Sequence, residues 1–371
     1  MIFKTITTFI RRLIAGANVT TVLLMLAFGF SGHLSPLEHP TLTQAHFLFP
    51  TLVIVNLLFL FFWILFKPRL VVISLAGMLA AFMPMRHFCP VNLPAEATAD
   101  TFKVLSFNVE GFACTTLRTD EERSQLPRYI AGENADVVYL QESYYDAPTK
   151  KLIASIMTPV YPYSETEKAH DKGNPMEIYS KHPIVGKEHI EYGSSSNHST
   201  VFYLLVGEDT LVVINNHLQS LQLSSEDREG FQSMVEGAIN NSINSDYAKE
   251  ESHKLFDKIR DASVVRTPQA ETVAQLVDSF LDRGLSVIVC GDFNDPPLSY
   301  TCRTIGRRLT DCYAAAGNGP GFSYHENGML VRIDHIFCSA DWQPVTAKVD
   351  RKMGLSDHYP IKCTLKRVVK P

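Results

Sequence analysis

The stretch Ser286 to Pro297, SVIVCGDFNDPP, limits the folds open to this chain more than any other. Val287, Ile288, Val289 and Cys290 form a short apolar run, β-branched at three positions, of a length and bulk that suit a strand buried on both faces. Gly291 lets the backbone leave the sheet, and Asp292, Asn294 and Asp295 follow within four residues, ahead of two prolines that cannot continue a ladder. A core strand thus hands over to an acid, an amide and a turn. Short polar side chains fixed where a strand ends can hold a metal or a water, and open α/β sheets tend to build their sites at the carboxyl ends of strands. Taken alone, the same stretch also reads as an ordinary strand-turn with Asx capping.

The chain of 371 residues is 46% hydrophobic, and nearly all the apolar excess lies before residue 90. Leu13 to Phe30 contains no charged residue, and Phe47 to Phe66 is broken only by Pro50, Thr51 and Asn56. Both are long enough to span a bilayer of about 30 Å. Leu70 to Met85 is a shorter third candidate. The expected organisation is a transmembrane region over 1–86 with three helices (13–31, 47–66 and 70–86), a linker over 87–99 and a second domain over 100–371. Two further apolar segments after the first argue against a cleaved signal peptide. Lys4, Arg11 and Arg12 precede the first span, Lys67 and Arg69 separate the second from the third, and Ser31 to His46 carries no Lys or Arg. Positive-inside logic then predicts a multi-pass cell-membrane protein with its large domain on the non-cytoplasmic side. A third segment that only dips into the bilayer would reverse that side.

Six of the 34 basic residues and two of the 39 acidic ones precede residue 98, which leaves the large domain with 28 against 37, a net charge near −9. That balance is poor for tight, sequence-independent binding to a phosphate backbone. The seven cysteines form no CxxC pair and no zinc spacing. Cys290, Cys338 and Cys363 read as small buried thiols, and one bridge, for example Cys302 with Cys312, is compatible with a non-cytoplasmic location.

From Asp100 onward several apolar runs end in polar groups. FKVLSF (102–107) leads to Asn108 and Glu110, and DVVYL (136–140) leads to Gln141 and Glu142. Ile178 to Ser180 reads as a strand entering a turn, and Val201–Val206 with Leu211–Ile214 reads as a hairpin ending in Asn215, Asn216 and His217. Residues 218–265 read as helices and loops over one side of a site, with Lys249 to Asp261 as a solvated helix face. Thr267 is expected to cap a helix, with Pro268 in its first turn, that runs to Gly284. RIDHIFC (332–338) and Ile361–Leu365 are further strands, with LSDHYP (355–360) between them.

Any one of Asn108, Glu142, His217, Asp292, Asn294, Asp334, Asp357 and His358 reads as structural when considered alone. Together they repeat one pattern, and their residue types are complementary. Carboxylate and amide oxygens without thiolates suit a hard cation such as Mg²⁺. Two histidines near acids suit proton transfer and phosphate contact.

In SFNVEGF (106–112), DVVYLQES (136–143), YSKHPIV (179–185), NNHLQS (215–220), GDFNDPP (291–297), RIDHIF (332–337) and SDHYPI (356–361), the sequence resembles the endonuclease/exonuclease/phosphatase superfamily. The resemblance covers about Thr101 to Lys366 and looks like that of a membrane-anchored, bacterial-type member. It implies a four-layer, DNase I-like α/β sandwich of two sheets, here preceded by the helical transmembrane region, and a metal-dependent hydrolase of phosphodiester or phosphomonoester bonds. By the same resemblance Asn108 and Glu142 form the metal-site pair, with Glu142 as the principal Mg²⁺ carboxylate (Mn²⁺ as the alternative ion) and Asp357 near a second position. Asp292 is similar to the water-orienting base and Asn294 to its partner at the pentacoordinate phosphorus. Asp334 and His358 resemble an acid–histidine dyad held against a phosphate oxygen, and His217 a second phosphate-contacting histidine.

Glu110 stands where some members carry Asp, and Glu177 is a candidate to orient His217. The substrate stays open between nucleic acid, as for an endonuclease, and a phospholipid head group or small ester. No obligate protein partner is implied. A non-catalytic membrane-tethered binding module on the same fold is the alternative, and a channel subunit is disfavoured because the spans carry no charge.

Overall fold

The apolar runs send alternate residues to two different cores, and this alternation builds the layers. In the computed structural model, residues 2–93, 95, 101–113, 119–168, 173–190, 192–193, 197–240 and 245–368 are described. Four helices open the chain: α1 (Ile2–Gly29), α2 (Phe49–Phe66), α3 (Val71–Ala80) and α4 (Phe82–Phe88). There follow β1 (Thr101–Asn108), α5 (Asp120–Glu133), β2 (Val137–Gln141), α6 (Ala147–Met157), β3 (Tyr163–Glu167), β4 (Met176–Ser180), β5 (Ile184–Ile190), β6 (His198–Val206) and β7 (Asp209–His217). The remainder comprises α7 (Ser225–Ile239), α8 (Ser245–Asp282), β8 (Ser286–Asp292), α9 (Tyr300–Ile305), β9 (Thr310–Asp311), α10 (Cys312–Ala316), β10 (Asp334–Cys338), β11 (Trp342–Val349) and β12 (Ile361–Arg367).

The strands make two six-stranded mixed sheets, ordered β11-β12-β1-β2-β4-β3 and β5-β6-β7-β8-β10-β9. Val104, Val137 and Tyr139 of the first face Val213, Ile288 and Cys290 of the second in one shared core. Their neighbours Leu105, Val138 and Leu140 turn outward onto Leu126 and Ile130 of α5 and Ile153 of α6. On the far side Val287 and Val289 pack under Ala270, Val273 and Val277 of α8. The result is the expected four-layer α/β sandwich of two sheets.

Register brings one set of strand ends to a single rim. β1 runs parallel to β2 and β7 parallel to β8, so Asn108, Gln141, His217 and Asp292 all close their strands at the same end. β12 and β10 run antiparallel to these neighbours and therefore begin there, with Asp334 opposite Asp292.

The N-terminal helices expose an apolar exterior, for example Phe9, Leu13, Leu58 and Phe61. Thr5–His33 and Leu42–Phe66 are each long and apolar enough to cross a membrane. Inside the bundle, Asn18 donates to Asn56 (3.1 Å) and accepts from Trp63 (3.0 Å) and Ser74 (3.2 Å), a polar clamp tying α1, α2 and α3 together. The third expected span is not continuous. Pro68–Ala80 and Phe82–Phe88 meet at 62°, because Pro84 cannot donate to the Ala80 carbonyl and its ring crowds that group. The first helix also begins earlier and ends earlier than the expected 13–31.

Two further expectations are corrected. Pro268 does not start a helix: α8 runs unbroken through it, and two residues before it Arg266 of the same helix is buried against Asp295 (3.3 Å) and the Gln219 carbonyl (2.7 Å). Cys302 and Cys312 form no bridge, and both are buried free thiols; Cys114 lies outside the described residues. The described part of the expected linker is fixed to the sandwich. There Arg332 donates to the His87 carbonyl, Gly319 N donates to the Pro90 carbonyl (2.9 Å) and the Asn92 amide donates to the Gly317 carbonyl (2.6 Å). Residues 94 and 96–100, where the expected domain boundary falls, lie outside the described set.

Candidate active site

Asp292 is the hub of the rim. Its β8 run is buried along its whole length, and Gly291 before it carries φ +124°, where an added Cβ would lie 2.0 Å from the Asn216 carbonyl of β7. Only glycine permits that turn toward the rim. Asp292 Oδ1 accepts from the Asn294 backbone N–H (2.8 Å), and Oδ2 accepts from the Asn108 side-chain amide (3.1 Å) across the two sheets. The same oxygen stands 3.7 Å from His358 Nε2 and 3.9 Å from His217 Nε2.

The other groups close around this hub. His358 pairs through Nδ1 with Asp334 Oδ2 at 2.7 Å, and His217 Nε2 stands 3.4 Å from Glu142 Oε1. Asn108 also donates to Glu142 Oε1 (3.3 Å). Glu142 has φ +53° and Asn294 φ +53°, left-handed conformations that cost about 1 kcal/mol or more each and persist only where the surroundings over-determine them. Asn294 spends its amide on the Leu218 carbonyl (2.9 Å), which fixes it beside Asp292. Asp357 lines the same cavity as Glu142, His217, Asp292 and His358, and its backbone N–H donates to Glu110 (3.2 Å).

The electrostatics follow from burial and crowding. Burial lifts Asp292 to about 6, and Asp334 adds to that rise while His358 and His217 oppose it. Burial works against a charged His358, yet Asp334 and Asp292 outweigh it and hold the ring well above the ordinary imidazole range. Glu110 is pushed up to about 7 by burial and then by Asp357.

One atom each of Asp292, Asp334 and His358 lie within 4.8 Å of one another, a grouping that could hold a cation. His358, however, is committed to Asp334 and favoured as imidazolium, whereas a metal-ligating imidazole must be neutral. The oxygen-rich side of the rim fits a hard cation better. Glu142 and Asp357 both line the cavity there, and Glu110 accepts from the Asp357 backbone N–H beside them.

Six of the expected residues, Asn108, Glu142, His217, Asp292, Asp334 and His358, form one connected cluster; Asn294 and Asp357 flank it. Glu177 is not part of it. Its carboxylate accepts from Tyr145, Tyr179 (3.0 Å) and Thr166 (3.2 Å), so it does not orient His217. Sequence reasoning missed Ser323, whose hydroxyl accepts from the Asp334 N–H (3.1 Å), and Tyr324, whose ring stands edge-on to His358 at 5.2 Å. Both lie in an irregular Gly/Pro segment with no periodicity to read. Ser356, which donates to the Asn108 carbonyl (2.8 Å) and links β1 to the SDHYP segment, was visible only as part of that motif.

A family model described as the Endonuclease/Exonuclease/phosphatase family matches residues 105–358. A second, described as a domain of unknown function (DUF8431), matches residues 11–88. No curated protein matches the chain. Among solved structures, truncated TDP2 of Caenorhabditis elegans is 16% identical, with 72% of this chain and 97% of that one covered at a TM-score of 0.50. An endonuclease/exonuclease/phosphatase from Beutenbergia cavernae DSM 12333 is 16% identical, with 72% of each chain covered and a TM-score of 0.49. The human nocturnin catalytic domain with bound sulfate is 14% identical, with 75% and 97% covered and a TM-score of 0.49.

Proposed function

The chain belongs to the endonuclease/exonuclease/phosphatase family and is a phosphoric ester hydrolase; on that premise we propose that it is a membrane-tethered, Mg²⁺- or Mn²⁺-dependent enzyme in which Asp292 activates the attacking water. The observation that carries this reading is the buried Asp292 carboxylate, set within 4 Å of Asn108, His217 and His358, where the strand ends of both sheets meet.

Asp292, a stronger base than an ordinary carboxylate, takes a proton from water as the new O–P bond forms. The P–O bond to the leaving alcohol breaks, and that oxygen takes up a proton from solvent. His358, kept cationic by Asp334, and His217 hold the non-bridging oxygens, while Asn294 stands at the reacting phosphorus. A divalent cation on Glu142, with Asn108 and Asp357 beside it, would act as a Lewis acid toward those oxygens.

The division into a membrane region over 1–86 and a catalytic domain over 100–371 belongs to the same proposal. Its orientation is supported by charge. The uncharged-to-acidic Ser31–His46 connection packs on the catalytic side, with Gly32 against the Leu298 carbonyl, while Lys67 and Arg69 lie at the other end of α2. Positive-inside logic then puts the catalytic domain outside the cytoplasm.

The test is hydrolysis of bis-p-nitrophenyl phosphate by the full-length protein in nanodiscs. Asp292→Ala and His358→Ala should each lower kcat by roughly 10³-fold, and EDTA should abolish turnover until Mg²⁺ is restored. Wild-type rates in both variants would refute the assignment, and absence of turnover in the wild-type protein would favour a non-catalytic module.

A further inference from the structure

The rim opens into a cavity of about 540 Å³ whose far wall belongs to the helical N-terminal part. Glu142, His217, Asp292 and His358 line it together with His46, Phe47, Pro50 and Phe88, from the entry to α2 and the end of α4. The two parts touch through Leu298, which follows the GDFNDPP segment and is buried with Met25, Phe49 and Ala81. Gln44 also donates to Ser263 of α8 (2.8 Å) in a buried contact.

Much of the remaining lining is apolar: Leu221, Leu223, Phe231, Leu255 and Ile259 from the segment spanning α7 and α8, with Phe322. The cationic groups on this wall are mostly committed. Arg266 is buried against Asp295 and Gln219, and Arg332 is buried against the His87 and Pro320 carbonyls. Arg228 is partly exposed but paired with Glu326 (2.6 Å). A groove that tracks a nucleic-acid backbone wants free, clustered cations along its length, and the described residues lining this one supply none.

The geometry points to an amphipathic phosphate ester, a membrane lipid whose phosphate sits at Asp292 and His358 and whose hydrocarbon lies along the Leu223–Phe231–Leu255 wall toward Phe47 and Phe88. The cavity lining reaches the surface at apolar side chains, with Phe47 40% and Leu330 58% exposed, which gives a lipid tail an apolar path from the bilayer into the cavity. This inference rests on the phosphohydrolase reading and adds its substrate class.

The experiment uses n-alkyl phosphates from ethyl to octyl as competitive inhibitors of bis-p-nitrophenyl phosphate hydrolysis by the full-length protein in nanodiscs. Inhibition constants should fall roughly threefold to fourfold per added methylene, the ordinary gain for apolar burial. Partitioning into the nanodisc lipid is common to all variants, so the decisive quantity is the difference in slope. Phe231→Asp and Leu255→Asp should flatten the series, and Phe231→Leu, which keeps the wall apolar, should retain it. A wild-type series that is flat, or that has the same slope in the Asp variants, overturns the inference while leaving the hydrolase intact. Absence of any bis-p-nitrophenyl phosphate turnover counts instead against the phosphohydrolase reading on which it stands.

Discussion

Asp334 lies too deep to meet a substrate, yet it decides the charge of a ring that does. Its Oδ2 holds His358 at 2.7 Å, and with Asp292 it outweighs the desolvation that would neutralise the imidazole. Asp334 is therefore a positioning residue. Asp334→Asn should lower kcat by roughly 10²-fold and lower the pKa of His358, so the alkaline limb of the rate profile, where the imidazolium is lost, should move to lower pH. A profile that only scales down, with its alkaline limb unmoved, would show that Asp334 acts by some other route. At this scale most of the cluster was legible, because Asn108, Glu142, His217 and Asp292 each close the apolar run that precedes them. Ser323 and Tyr324 were not legible, since nothing local marks an irregular loop that becomes a neighbour of Asp334 and His358 only after both sheets have formed. Glu177 shows the converse error: a polar residue on a strand that looked free for His217 is consumed by Tyr145, Tyr179 and Thr166.

Among elements, the interior strands β1, β2, β4, β6, β7, β8, β10 and β12 were readable, and the four edge strands β3, β5, β9 and β11 were not. The reason is burial. Interior strands such as β2 and β8 are buried along their whole length and appear as continuous apolar runs, whereas β3 reads YSETE and is largely exposed, and β5 reads IVGKEHI with Lys187 and Glu188 on its exposed positions. Prolines misled in both directions, because α8 carries Pro268 within its length while Pro84 breaks the third apolar segment. The interior strand β8 also carries the sharpest single-site prediction. Gly291→Ala must fit a Cβ 2.0 Å from the Asn216 carbonyl at a φ that alanine does not adopt, so it should cost more than about 3 kcal/mol and remove activity with it. An unchanged thermal midpoint for this variant would contradict the described β7–β8 register.

For the whole molecule, the membrane-tethered reading proposed above makes a prediction about orientation from the same packing that closes the cavity. The Ser31–His46 connection and the end of α4 both abut the sandwich, and on that reading α3 and α4 together return the chain to the side on which that connection lies. Reporters fused after residue 93 should be active only outside the cytoplasm, and a signal from the cytoplasmic reporter alone would reverse the orientation. The central claim, water attack on phosphorus at the Asp292–His358 rim, is reached most directly by turnover in H₂¹⁸O followed by mass spectrometry of both products. The account predicts one ¹⁸O in the phosphate-bearing product and none in the released alcohol; label in the alcohol, or no turnover with Mg²⁺ present, would contradict it.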